Sequence, residues 1–550
     1  MQTRHTLIRV ISQIEQIPTP LLPRRLTLDA LPLRPVVRRW AEATVRELSP
    51  QVRRVRSGVR RRLLALFVDG VGAETLARAA RDGTMPFLAR LRDSPLLREA
   101  RTFSGMPSTT TAYQAGLFYG LRHPDVPGFN WFDRETRRPL FMNKPADAAR
   151  VEERIRARAR EGLMRGGASY LSILRGGATD HLNTAGAAAV LQREELPGLD
   201  PDELPALVQL HAQTALSVAA RLATETGPFL WDLGRFVREK ASSRHEWMFF
   251  LNHVLVGTLL KEVAQGQAIL DLIRGVPRVF LNFHDYDEAA HRRGPERAME
   301  QALRGIDRSI EAMFAIAAAL PDPVDVYVFS DHGQIASEPF ERLYGCTFAD
   351  WVRGAGDGGR PPPELPPAVI EAVGVRPGPP AFEPDLQPVD CGNYGHVYFE
   401  PGPPLDARAL VERHGRTLAR ILACPGVGLA LMRHDGGALA FAGGRRVDPD
   451  DPATLPKGVS AEAVRAAMDD LAHSRSAGDV LCYGAWNDGR AVALSWEWSS
   501  HGGPSCSETE NFLIHPVGVP FEPERIRHAS DLHHAFRALY GGPPREDGRG

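Results

Sequence analysis

Residues 63–70 read LLALFVDG: six apolar residues without a break, then Asp69, then a glycine. An uninterrupted apolar run of this length suits a parallel strand buried on both faces, here with a carboxylate at its carboxyl end. The pattern recurs in VPRVFLNFHD (276–285) and PVDVYVFSDHG (323–333), β-rich runs that also close on Asp or His and pass into a polar loop. Between these two, RAMEQALRGIDRSIEAMFAIAAAL (297–320) has helical period, and GVGAETLARAARDGTMPFLARL (70–91) reads as turn and helix. Strands alternating with helices predict an α/β fold, and in open α/β sheets ligands bind beyond the carboxyl ends of the strands.

The residues gathered at those ends are metal-ligand types. DYDEAAHRRGP (285–295) supplies Asp287 and His291 one helical turn apart; SDHG (330–333) supplies Asp331 and His332; SWEWSSHGG (495–503) supplies His501. Asp and His together suit one or two hard-to-borderline divalent ions. GMPSTTTAYQAG (105–116) adds a cluster of hydroxyls in a Gly/Pro-bounded turn, and a hydroxyl needs a metal or a base to act as a nucleophile near neutral pH. Each segment alone has an ordinary reading. A strand-terminal Asp can be a cap, an i,i+4 Asp–His pair can be a surface pair, and PSTTT can be a helix N-cap. Their joint order points to a metal-dependent hydrolase of phosphate esters.

Composition narrows the alternatives. The chain has 66 basic and 67 acidic residues, a net charge of −1, so no global field draws it to duplex nucleic acid. Its five cysteines (Cys346, Cys391, Cys424, Cys482 and Cys506) are an odd number without CxxC spacing. That argues against a disulfide framework or a zinc ribbon and for reduced thiols in a cytoplasmic protein. Residues 1–23 hold no continuous apolar h-region, so no secretory signal is expected. The longest apolar stretch, WMFFLNHVLVGTLL (247–260), is too short to span a bilayer and contains Asn252 and His253; it is read as a buried helix. Arg53, Arg54, Arg56, Arg60, Arg61 and Arg62 read as a solvated segment, with weak peripheral membrane contact as the functional alternative.

Six segments are expected: an Arg-rich stretch (1–60), a first part of the catalytic core (61–145), a mostly helical insertion (146–275), a second core part (276–345), a smaller α+β lobe (346–475) and a third core part (476–550). Within the insertion, 151–165 and 203–225 are amphipathic, and the Gly-rich stretch 166–186 between them is expected as a hairpin. The small lobe contains Pro/Gly-rich connections and strand-like CGNYGHVYFEP (391–401) and LALMRHDGGALAFAG (429–443). No GxGxxG or GxxxxGK[ST] nucleotide loop is present.

VDGVG (68–72), MPSTTT (106–111), DYDEAAHRRGP, SDHG and SHGG (500–503), in this order, resemble the alkaline phosphatase superfamily, and within it the type I phosphodiesterase/nucleotide pyrophosphatase branch. The resemblance implies an α/β/α sandwich with a mostly parallel sheet and a site for two divalent ions, most often Zn2+, with Mn2+ as the alternative. By position, Asp69, Asp331 and His332 would hold one ion together with the nucleophile, and Asp287, His291 and His501 the other. The family's P-[ST]-x-T pattern, laid on Pro107, Ser108 and Thr109, places the nucleophile at Thr110, with Thr109 and Thr111 one residue off. Three residues on, where that branch usually has Asn, this chain has Tyr113, expected with His396 as a substrate contact. Asp285, Glu288 and His284 are candidates for orienting the ligand histidines, and His515 and His123 are read as structural.

The implied reaction is hydrolysis of a phosphodiester or pyrophosphate bond through a phosphothreonine, with a small molecule or a lipid headgroup as substrate. Phosphomonoester or phosphonate hydrolysis, or transfer of a phosphoryl-linked headgroup, competes on the same site. A non-catalytic metal-binding scaffold is the alternative of another class. The sequence argues against a sulfatase, whose chemistry needs a C-x-P-x-R motif; CPGVG (424–428) does not supply it.

Overall fold

The computed structural model describes residues 25–55, 61–123, 125–159, 161–178, 180–183, 258–356, 363–378, 386–400, 402–487 and 489–541. Its centre is a seven-stranded sheet. In sheet order the strands are Leu97–Phe103, Glu510–Pro516, Val324–Phe329, Arg62–Val68, Arg278–Phe283, Ala168–Ser172 and Asp180–Asn183. Only Glu510–Pro516 runs against the rest. The mostly parallel α/β architecture expected from the apolar runs is the one observed.

Strand Arg62–Val68 shows why the run had to be apolar throughout. Leu64, Leu66 and Val68 enter the core on one face, with helices Pro35–Leu48, Thr258–Arg274 and Arg304–Ala319. Leu63, Ala65 and Phe67 enter the core on the other, with helices Thr110–Tyr119, Pro145–Arg158 and Ala529–Tyr540. Burial on both faces removes the polar alternation of a half-exposed strand. The Phe67 ring meets Phe280, Phe329 and Tyr113 at centroid separations of 5.3, 5.5 and 5.9 Å, locking the strand ends in register.

Two expectations change here. The stretch 166–186 forms no hairpin: Ala168–Ser172 and Asp180–Asn183 pair in parallel at the sheet edge. Its glycines marked a turn, but a turn signal does not fix the direction of the strand that follows. The core sheet therefore draws strands from within 146–275, and helices Pro145–Arg158 and Thr258–Arg274 pack on it. The amphipathic segment 203–225 and most of the apolar stretch 247–260 lie outside the described residues. The Arg cluster is the second change. Arg56 and Arg60 are likewise outside, whereas Arg61 pairs with buried Asp325 (Nε–Oδ2 2.6 Å), and Arg62 is buried and donates to the Leu272 carbonyl at 2.6 Å. Both face the protein rather than a lipid surface. Among the described residues no helix is long and apolar enough to cross a membrane.

A second sheet, antiparallel and six-stranded, runs in the order Gln387–Cys391, Tyr394–Tyr398, Val480–Gly484, Val427–His434, Gly437–Ala442 and Arg445–Val447. Helix Ala407–Leu422 packs on one face and helix Ala461–His473 on the other. A small four-stranded sheet pairs Ser499–Ser500 with Ile335–Pro339, so Ser500 faces Ile335 and the chain enters His501 beside the SDHG loop.

Asp325 also accepts from the Tyr540 hydroxyl at 2.9 Å. Removing one partner of a buried ion pair leaves the other uncompensated. Arg61→Ala is expected to destabilise the protein by roughly 3 kcal/mol, read from denaturant midpoints. An unchanged midpoint would place Arg61 with the solvated arginines.

Candidate metal centre and nucleophile

Asp69 is the first residue after strand Arg62–Val68, and Asp331 and His332 follow strand Val324–Phe329 after a single serine. Parallel pairing of these strands, Phe67 opposite Phe329, puts the three side chains at one edge. Asp287 and His291 come from helix Asp285–Arg293, which starts just beyond strand Arg278–Phe283. Their i,i+4 spacing sets them on one face, with His291 Nε2 3.3 Å from Asp287 Oδ2. His501 arrives from the small sheet. Its ring stacks on His332 at 3.6 Å and 10°, and its Nε2 lies 3.9 Å from Asp287 Oδ1.

Two groups of ligand atoms result, each with members within 4.8 Å of one another: Asp69, Asp331 and His332, and Asp287, His332 and His501. His332 stands between them, its Nε2 3.3 Å from Asp331 Oδ2 and 3.6 Å from Asp69 Oδ1. His291 lies at the rim of the second group. Its Nδ1 is 3.0 Å from both Glu497 Oε2 and the Ser499 carbonyl.

Helix Thr110–Tyr119 opens with Thr110, whose Oγ1 is 3.2 Å from Asp69 Oδ1 and 3.2 Å from His332 Nε2. Its neighbours turn elsewhere. Thr109 Oγ1 faces Thr111 Oγ1 at 3.4 Å, and Thr111 donates to the Gly128 carbonyl at 2.8 Å.

The charges explain what the site lacks by itself. Burial pushes the Asp69 carboxyl well above its usual range, and the neighbouring Asp331 pushes it further. Burial, then the nearby Asp287, raises Asp331 to about 7. Asp287 is only partly buried; burial would raise it, but the charge of His291 holds it down. Among the described residues the charged partners of these carboxylates are histidines, not Lys or Arg. Asp331 Oδ2 is buried with no hydrogen-bond partner. A buried, unsatisfied carboxylate oxygen amid O and N donors fits a divalent cation.

The supporting shell differs from the one expected. Asp285 bonds Lys261 Nζ at 2.5 Å, and Glu288 faces His284 at 3.9 Å, the two lying one helical turn apart. The groups that do hold the ligands are Glu497 on His291, Gln334 on Asp287 (2.6 Å), Asn282 on Asp69 (3.0 Å) and the Ser108 carbonyl on His501 Nδ1 (2.9 Å). Of these, only Asn282 carried a sequence signal, as a lone amide inside an apolar strand. Glu497 and Gln334 depend on the pairing of two distant short strands.

Of the two expected substrate contacts, His396 has neither ring nitrogen free. Nε2 meets the Pro127 carbonyl at 3.1 Å, and Nδ1 accepts from the Gly478 amide at 3.3 Å. Burial lowers its pKa to about 4. It is a neutral bridge between backbones, a role open to any buried strand histidine. Tyr113 is buried on the helix that begins at Thr110, and burial raises its phenol pKa, keeping the proton on oxygen. His515 Nδ1 meets the Pro516 carbonyl.

Residues 63–358, a little over half of the chain, match the family described as type I phosphodiesterase / nucleotide pyrophosphatase. No curated protein matches. Among solved structures, the phosphonoacetate hydrolase from Sinorhizobium meliloti 1021 in complex with phosphonoformate aligns over 87% of this chain and 95% of its own, at 16% identity and a TM-score of 0.43. That similarity is too distant to bear on chemistry.

The raised Asp331 sets a pH dependence. With its folded pKa near 7 and its unfolded value near 3.8, the metal-free protein loses stability as pH rises through that interval. An ion entering at pH 6 must displace the proton, whereas at pH 8 it need not. Zn2+ should therefore raise the Tm of chelator-treated protein more at pH 8 than at pH 6, with affinity on the order of tenfold weaker at pH 6. Equal shifts would show that the ion displaces no proton from Asp331.

Proposed function

The chain belongs to the type I phosphodiesterase/nucleotide pyrophosphatase family, and we propose that it hydrolyses phosphodiester or pyrophosphate bonds with Thr110 as nucleophile and a dinuclear metal site as its electrophilic support. The observation that carries this reading is the position of Thr110 Oγ1, 3.2 Å from a carboxylate and an imidazole of the ligand cluster, while the adjacent threonine hydroxyls are engaged elsewhere.

Asp69, Asp331, His332 and Thr110 would hold one ion, and Asp287, His291 and His501 the other. Divalent ions bound there, Zn2+ or Mn2+ by the donor set, supply charge for the phosphoryl oxygens and acidify a hydroxyl or a water. The remaining work falls to the chain. The Thr110 hydroxyl donates toward Asp69 Oδ1, so its proton has a carboxylate to leave toward. Its oxygen forms the new bond to phosphorus as the alkoxy or phosphate leaving group departs, giving a phosphothreonine. Water then cleaves the Thr110–phosphorus bond, releasing phosphate or its monoester and restoring the hydroxyl. Because Thr110 is the first residue of a ten-residue helix, the backbone N–H groups of that first turn favour the phosphoryl charge. Glu497 and Gln334 fix His291 and Asp287 so that the second group keeps its geometry.

Diester preference follows from what surrounds Thr110. Its side-chain contacts are Asp69 and His332, and among the described residues no Lys or Arg pairs with these groups to offset the second negative charge of a monoester. Tyr113, one turn on and protonated, is assigned a hydrogen bond to a phosphoryl oxygen. The substrate is accordingly a small-molecule phosphoester or pyrophosphate.

Thr110→Ala should abolish multiple turnover while fold and metal content persist; Thr109→Ala and Thr111→Ala should keep more activity. A dead Thr109→Ala beside an active Thr110→Ala would move the nucleophile by one residue. Assayed side by side with Zn2+ and with Mn2+, a bis-aryl diester should show higher kcat/KM than the matching aryl monoester. Faster monoester cleavage would overturn the diesterase reading. Tyr113→Phe should cost about 1.5–3 kcal/mol in transition-state stabilisation, the value of one hydrogen bond to charge; full activity would remove the role given to its hydroxyl.

A further inference from the structure

His123, read from sequence as structural, sits in a second group of donors that the proposed chemistry does not use. It follows the helix that carries Thr110, in the loop after Tyr119. Opposite it is the last turn of helix Ala461–His473 in the antiparallel lobe, presenting Asp469, Asp470 and His473. His123 Nε2 lies 3.5 Å from Asp469 Oδ2, and His473 Nδ1 lies 3.3 Å from Asp469 Oδ1. The two rings stack at 4.4 Å and 10°. One donor atom from each of His123, Asp469 and His473 falls within 4.8 Å of the others.

From this geometry we infer a further divalent-metal site, of the Zn2+ class, built from His123, Asp469 and His473 at the junction of the two lobes. Four donors at about 2.0–2.1 Å around a tetrahedral ion lie about 3.3–3.4 Å from one another. The nitrogen–oxygen separations are close to that size but run to different oxygens of Asp469, Oδ2 for His123 and Oδ1 for His473, so the exposed carboxylate turns one oxygen to the ion on binding. His123 is also oriented for the task. Its Nδ1 lies 2.7 Å from Asp470 Oδ1, so the proton sits on Nδ1 and the Nε2 lone pair faces Asp469. A carboxylate that fixes the tautomer of a ligand histidine in this way is the usual support of a metal-bound imidazole. His473 Nδ1 donates to the Asp469 carbonyl at 2.8 Å and its ring lies nearly parallel to that of His123, so ligation through Nδ1 moves the proton to Nε2 and turns the exposed His473 ring until both lone pairs meet at one centre. The side chains of His473 and Asp469 are 56% and 49% exposed, which gives an ion its way in and leaves the fourth position to water. The ion would staple the loop after the nucleophile helix to the second lobe.

The test is metal content per chain after chelation and equilibrium dialysis against Zn2+ and against Co2+, for the wild type, His473→Ala and Asp469→Asn. Both variants are expected to hold one equivalent fewer than the wild type, with diester turnover at saturating Zn2+ unchanged. The loss should persist when His473→Ala is placed on Asp331→Asn, which separates it from the strand-end ions. Equal metal content in all three proteins would overturn the site.

Discussion

Three carboxylates, Asp69 and Asp331 buried and Asp287 partly so, converge at one edge of the sheet, and the rest of the structure is arranged to tolerate them. Buried charge of one sign is expensive unless it is paired. Here the partners are imidazoles, and each imidazole is committed through its other nitrogen: His291 to Glu497 and the Ser499 carbonyl, His332 to the Gly333 carbonyl, His501 to the Ser108 carbonyl. Those bonds fix which ring nitrogen faces the carboxylates. The arrangement suits a cation, whose charge would offset the clustered carboxylates.

The sheet is what makes this convergence possible. Parallel strands deliver their carboxyl ends to one edge, so residues distant in sequence can share a site without long loops. The one antiparallel strand, Glu510–Pro516, completes the arrangement from the opposite direction. Its Asn511 donates to the Asp331 carbonyl at 2.5 Å and holds the backbone from which the Asp331 side chain projects. The small sheet does the same for His501, because Ser499 and Ser500 pair with Ala336 and Ile335 just beyond the SDHG loop.

What the sequence disclosed follows from these physical requirements. Strands buried on both faces must be apolar throughout, so 63–68, 278–283 and 324–329 were legible, and the polar residues that close them stood out. The choice of Thr110 over its neighbours rested on resemblance alone; the side-chain bonds of Thr109 and Thr111 are a local reason to favour it. What stayed hidden depends on contacts between short or Gly-rich segments with no period of their own. The parallel pairing of Ala168–Ser172 with Asp180–Asn183, the bond from Glu497 to His291 and the meeting of His123 with His473 are of this kind. His396 misled because a histidine in a strand looks the same in sequence whether it faces a substrate or a carbonyl group.

The second lobe meets the core at several places, among them Asn393 on Glu508 and the segment just after helix Thr110–Tyr119. Asp125 Oδ1 accepts from Ser474 Oγ and from the Arg475 and Ser476 amides, and Arg134 pairs with buried Asp479 at 2.6 Å. Between these ties, Tyr394 reaches in from the lobe, and its hydroxyl accepts from the Phe129 amide at 3.1 Å. A Cβ on Gly128 would lie 2.0 Å from that hydroxyl, and a Cβ on Gly502 would lie 2.2 Å from the same ring. Gly128 receives the Thr111 hydroxyl through its carbonyl, and Gly502 adjoins His501. One aromatic ring of the lobe thus packs against both the backbone that receives Thr111 and the loop that carries His501.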